Sequence, residues 1–87
     1  MKKISPKQLE EHVNWSILKN AIVKSFFFSS FNEAIVFVNQ IALKAEENNH
    51  HPEINFDFNR VDIKLTSKDC GEITEIDFVL AQEIDTL

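Results

Sequence analysis

The spacing of apolar positions changes several times along the chain, and each change marks an element. Trp15 and Ile17, then Ile22, Lys24, Phe26 and Phe28, predict two strands joined by a turn at Lys19-Asn20. Ala21, Val23 and Phe27 make the other face of the second strand apolar too, as expected of a strand well inside a sheet or beneath a partner. From there the period lengthens. Phe31, Ala34, Ile35, Val38, Ile41, Ala42 and Ala45 recur at helical spacing and predict a long helix reaching about Asn48, with these side chains toward the sheet. Ser30-Phe31-Asn32-Glu33 has the form of a capping box at its start. Val36, Phe37 and Leu43 fall elsewhere on the helical wheel, a second apolar patch expected to meet another subunit.

Strict alternation returns after the helix, with Ile54, Phe56 and Phe58 expected inward and Glu53, Asn55 and Asp57 outward. Val61, Ile63 and Leu65 repeat it beyond a tight turn placed at Asn59-Arg60, which makes a second hairpin. Thr74-Glu75-Ile76-Asp77 opens a last helix whose buried side carries Ile73, Ile76, Leu80 and Ile84. At the other end, Ser5-Pro6-Lys7-Gln8 reads as the start of a short helix from Pro6 to Val13. The order is helix-strand-strand-helix-strand-strand-helix. It predicts an α+β domain: a four-stranded antiparallel sheet with helices packed on one face.

The 87 residues are 44% hydrophobic with eight Phe, enough for one compact core, and residues 1–87 read as a single domain. A chain of this size buries only about 60–65% of its unfolded surface, and small domains often complete a core by oligomerising. The net charge of −5 argues against nonspecific nucleic-acid binding and against an anionic membrane surface. Met1-Lys2-Lys3 has no apolar run behind it, so no signal peptide is expected, and nothing approaches the ~20 apolar residues of a membrane span. Cys70 is the only cysteine and fits a reducing compartment. A soluble, cytoplasmic domain is expected.

Candidate chemistry centres on His50-His51-Pro52, where the long helix gives way to a strand. Pro52 disfavours helical geometry in the residue before it, so both rings can face one cleft where the helix ends. Histidine is suited to moving protons near neutral pH. Glu46 precedes His50 by four residues and Glu47 precedes His51 by four, a spacing at which a carboxylate meets an imidazole on one helix face, orients it and favours its charged form. Such a histidine can give a proton to a leaving group and later take one back. Two other readings stand beside this one: a solvated histidine pair with acidic neighbours, and a metal site using Glu46, His50 and His51, for which no second cluster at ligand spacing appears. His12 is assigned a solvated or packing role, Trp15 a core role, Cys70 that of a small loop hydrophobe and Asp77 mainly that of a capping residue. The loop Ser67-Lys68-Asp69-Cys70-Gly71 is a connector whose backbone amides could bind a flat polar ligand.

These pieces together resemble the pterin-4a-carbinolamine dehydratase family. The resemblance rests on Trp15, Phe26-x-Phe28-x-x-Phe31, Ala42-x-x-Ala45-Glu46, His50-His51-Pro52-Glu53, Val61-x-Ile63-x-Leu65-Thr66, Thr74-x-x-Asp77, Ala81 and Ile84-Asp85, nearly the whole chain from Trp15 onward. It implies a hydro-lyase that dehydrates 4a-hydroxytetrahydropterin, the product released by aromatic amino acid hydroxylases. Water leaves carbon 4a and a proton leaves nitrogen 5, giving the quinonoid dihydropterin. It further implies that no metal or other cofactor is needed, the pterin being the substrate, and that the protein forms a homodimer or homotetramer through the long helix and sheet edge. By the same resemblance His50 and His51 line the pterin and act as catalysts, with Glu46 supporting them. Pro52, Ser67, Lys68, Asp69, Cys70 and Asp77 would hold the pterin.

Two positions depart from the family pattern. Lys68 stands where a third histidine or a Trp is usual, and Ile54 replaces the aromatic residue that often follows His-His-Pro-Glu. A lysine can donate a proton or stabilise a leaving hydroxyl, but it serves as a base only when desolvated. Two readings follow: a working dehydratase, or a relative that kept the fold and serves as a binding, dimerisation or assembly module.

Overall fold

The computed structural model describes residues 14–87. The short helix expected over Pro6 to Val13 lies outside the described residues, as does His12. Four strands, β1 (Ser16–Leu18), β2 (Ala21–Phe27), β3 (Glu53–Asp57) and β4 (Arg60–Leu65), form one sheet in the order β1-β2-β4-β3, every neighbouring pair antiparallel. Two helices, α1 (Phe31–Asn48) after β2 and α2 (Glu75–Asp85) after β4, complete the α+β architecture. The two hairpins expected from the alternating stretches are both formed, and β2 with β4 joins them at the centre of the sheet.

The registers Ile22↔Leu65, Lys24↔Ile63, Phe26↔Val61 and Ile54↔Ile63 put one set of alternating residues on a common face. That face carries the core, in which Ile22, Val61, Ile63 and Leu65 meet Ala34, Phe37 and Ile41 of α1 and Leu80, Ala81 and Ile84 of α2. Trp15 is buried as expected, and its indole N–H donates to Asp85 Oδ2 at 3.0 Å. The opposite face is largely polar. There Ser25 and Arg60 donate hydrogen bonds to Asp62 and together hold its carboxyl below the usual carboxylate range.

The phase of α1 differs from that read along the chain. Ala34, Phe37, Ile41 and Ala45 are buried, whereas Phe31 and Ala42 are exposed. Phe37 turns inward because two aromatic partners await it, Phe26 and Phe28, with ring centroids at 4.7 and 4.9 Å. Phe31 instead stacks on Phe56 at 5.2 Å near the rim of the sheet. The second hairpin also turns one residue earlier than expected. Phe58 takes the left-handed conformation (φ 50°) and is 63% exposed, while Arg60 already pairs with Asp57. Neither Phe56 nor Phe58 enters the core: Phe56 stacks on Phe31 at the start of α1, and Phe58 lies in the turn after β3.

Candidate active site

The end of α1 sets the site. Asn49 follows the helix in the left-handed conformation (φ 49°, ψ 43°), its N–H bonding back to Glu46 O and that of His50 to Ala45 O at 3.0 Å. This paired closure turns the chain out of the helix at once, and asparagine is one of the few residues that occupies the left-handed position readily. The turn breaks the four-residue spacing on which the expected Glu46–His50 and Glu47–His51 pairings depended. Glu46 faces His51 instead, at 3.5 Å and in solvent, and Glu47 pairs with Lys44.

His50 is turned inward. Its Nε2 lies 2.5 Å from Asp77 Oδ1, and the ring is only 12% exposed. Asp77 sits in the first turn of α2 and is fully buried. Its second oxygen accepts from Ser67 Oγ at 2.8 Å and from the Thr74 backbone N–H at 2.9 Å. The last of these is the return leg of the capping box at the α2 start, so one carboxylate both closes a helix and holds a histidine. A buried carboxylate requires donors of this kind to offset lost hydration. With Asp77 accepting on both oxygens, the network assigns the proton to His50 Nε2 and leaves Nδ1 as the nitrogen free for chemistry. Ser67, also fully buried, is fixed in turn by Thr74 Oγ1 at 2.6 Å.

Beside His50 opens a cavity of about 190 Å³ lined by Asn49, His50, His51, Thr66, Ser67, Lys68 and Asp69. Its far wall is the turn between Ser67 and Glu72, which bridge one another. Ser67 O accepts from Gly71 N at 2.8 Å, and Gly71 supplies the positive φ of 69° that closes the turn. Of the residues singled out from the sequence, His50, His51, Ser67, Lys68 and Asp69 line the cavity, and Asp77 stands directly behind His50. Pro52, Glu46 and Cys70 do not line it. Pro52 is half-buried beyond the doublet, and the exposed Cys70 thiol lies 3.8 Å from the carbonyls of Ser67 and Glu72. Asn49 and Thr66 line it without having been singled out. Asn49 could have been found as the left-handed residue at the helix end before the His-Pro segment; Thr66 entered the sequence reading only as part of the Val61-x-Ile63-x-Leu65-Thr66 motif, with no site role attached. Among the described residues no three His, Cys, Asp or Glu side chains are placed to share a metal ion, and the Glu46–His50–His51 set does not converge.

The family model described as pterin 4 alpha carbinolamine dehydratase matches residues 2–87. The chain belongs to that family. A provisionally named pterin-4-alpha-carbinolamine dehydratase of Sulfurisphaera tokodaii is 41% identical, the alignment covering 100% of this chain and 98% of the relative. One of the same name from Chloroflexus aurantiacus is 44% identical over 92% of this chain and 86% of its own. Among solved structures, the transcriptional coactivator/pterin dehydratase of Brucella melitensis superposes with a TM-score of 0.90 at 31% identity, covering 98% of this chain and 97% of the other. A pterin dehydratase-like protein identified as a RuBisCO assembly factor in the alpha-carboxysome superposes at 0.69 and 25% identity, covering 85% and 86%. A protein of similar fold is thus described as an assembly factor.

Proposed function

We propose that the protein dehydrates a 4a-hydroxytetrahydropterin to the quinonoid dihydropterin, with His50 as the principal proton carrier. The observation that carries this reading is the His50–Asp77 pair, 2.5 Å apart at the edge of a cavity in a chain of this family. Loss of water from carbon 4a needs a proton delivered to the departing hydroxyl. Formation of the carbon 4a–nitrogen 5 double bond needs the nitrogen 5 proton removed. One proton goes on and one comes off, so no other reactant is consumed.

His50, with Nε2–H held by Asp77, can accept or return a proton at Nδ1 without altering that bond. Asp77 is a positioning residue here: it stabilises the imidazolium while the proton resides on His50. His51 with Glu46 forms the solvent-side counterpart, able to exchange a proton with water. Lys68 projects an ammonium at the position of the family's usual third histidine and serves best as donor to the leaving hydroxyl. The residues named here act without a metal or a further cofactor, the pterin being the substrate.

The test is to generate 4a-hydroxytetrahydropterin and follow its decay with the protein present. Decay clearly faster than the uncatalysed rate, and faster again in Lys68→His, is expected. Decay at the uncatalysed rate in both proteins sinks the dehydratase reading. It would leave a binding or assembly role, the second reading, which the RuBisCO assembly factor of similar fold and the Lys68 replacement together favour.

A further inference from the structure

Directly beside the histidine cavity runs a wider groove of about 590 Å³, lined by Leu18, Lys19, Asn20, Ala21, Lys64, Thr66, Lys68 and Gly71. Thr66 and Lys68 border both spaces, so the groove continues the cavity. Thr66 Oγ1 donates to Asn20 O at 2.6 Å and ties the β1–β2 turn to the end of β4, which fixes the two walls relative to one another. Lys19 holds the left-handed position of that turn (φ 55°), which throws its side chain to the groove rim.

The distribution of cations is uneven. Among the described residues Lys24 pairs with Asp85, Lys44 with Glu47 and Arg60 with Asp62. Lys19, Lys64 and Lys68 have no carboxylate at ion-pair distance among the described residues, and all three line this groove. Lys64 stands opposite Glu53 in the β3–β4 register but not at ion-pair distance. The three ammonium groups around one concave space still repel one another, a cost that an anion placed between them reduces. Size points the same way. The histidine cavity, at about 190 Å³, is below the roughly 300–1,000 Å³ typical of small-molecule sites, and the groove supplies the remainder.

We propose that the groove is a phosphate subsite and that the pterin this protein takes carries a phosphorylated side chain, its ring beside His50 and its phosphate among Lys19, Lys64 and Lys68. This rests on the pterin reading above. Lys68 then has a double place, one side toward the ring and the other toward the phosphate, which gives a reason for lysine where the family resemblance leads one to expect histidine or Trp.

Binding of neopterin and of neopterin monophosphate, followed by their fluorescence at low salt, tests it. The monophosphate is expected to bind about tenfold tighter or more. That advantage should shrink as salt is raised and largely vanish in the Lys19→Ala/Lys64→Ala double variant, whose affinity for neopterin stays as in the parent. Inorganic phosphate should compete with the monophosphate and leave neopterin binding unchanged. Equal affinity for the two pterins overturns the proposal while the dehydratase reading stands. Binding of neither pterin overturns both. In that case lysine-dependent binding of inorganic phosphate would mark the groove as a site for the free ion and rule out a pterin-borne phosphate.

Discussion

The carboxylate of Asp77 accepts from His50, Ser67 and the Thr74 backbone while out of contact with solvent, which joins three segments of chain at one buried charge. Asp77→Asn replaces one acceptor oxygen by an NH2 group, so an amide donor then faces Nε2–H or Ser67 O–H. The expected cost in stability is about 1–3 kcal/mol, read from urea unfolding. Turnover should fall by about 10²-fold or more, since the ring loses both its orientation and the stabilisation of its charged form. A variant as unstable as expected but fully active would show that Asp77 serves the helix cap alone. His50→Ala, which leaves the cap intact, should slow the reaction comparably and so separates the two roles.

At the level of the element, the C-terminus of α1 decides what the histidines can do. Its capping turn places consecutive residues in different surroundings, His50 against Asp77 and His51 in solvent beside Glu46. The left-handed Asn49 is the hinge of this arrangement. Asn49→Ala should lower stability by about 1 kcal/mol, because alanine keeps the β-carbon that opposes that conformation and loses the polar side chain that lets asparagine adopt it, while Asn49→Gly should be close to neutral. Urea midpoints compare the two. If the turn positions the doublet, Asn49→Ala should also reduce the dehydration rate more than Asn49→Gly does. The same element shows where periodicity stops being informative. The length of α1 and its start at Ser30 could be read from the chain, and Ser30 Oγ does accept from Glu33 N at 3.1 Å. Its phase could not: Phe37 and Phe31 are both apolar, and the aromatic partners Phe26 of β2 and Phe28 just after it chose between them.

At the scale of the whole molecule, the described residues leave apolar side chains uncovered at several places, among them one flank of α1, where Val36 is 55% and Leu43 67% exposed. We expect self-association through this flank, since a small chain gains by burying such a patch. Sedimentation should show a dimer or larger assembly. Val36→Glu with Leu43→Glu should weaken association by about tenfold or more, with the fold retained because neither side chain enters the core. A parent protein that sediments as a monomer at high concentration would rule this out.

The order of strands and helices from residue 14 onward, the two hairpins, the core residues of β4 and the position of His50 and His51 at a helix end were determined by the sequence itself, through local signals: period, turn residues, caps and the His-Pro break. They are legible because a strand or helix repeats within a few residues and writes its buried face into that repeat. The pairing of His50 with Asp77, 27 residues away, and the meeting of Lys19, Lys64 and Lys68 in one groove were decided only by the tertiary structure. Such contacts depend on the phase of each helix and on which loops the sheet brings side by side. Those are set by packing among distant residues, and no local period records them.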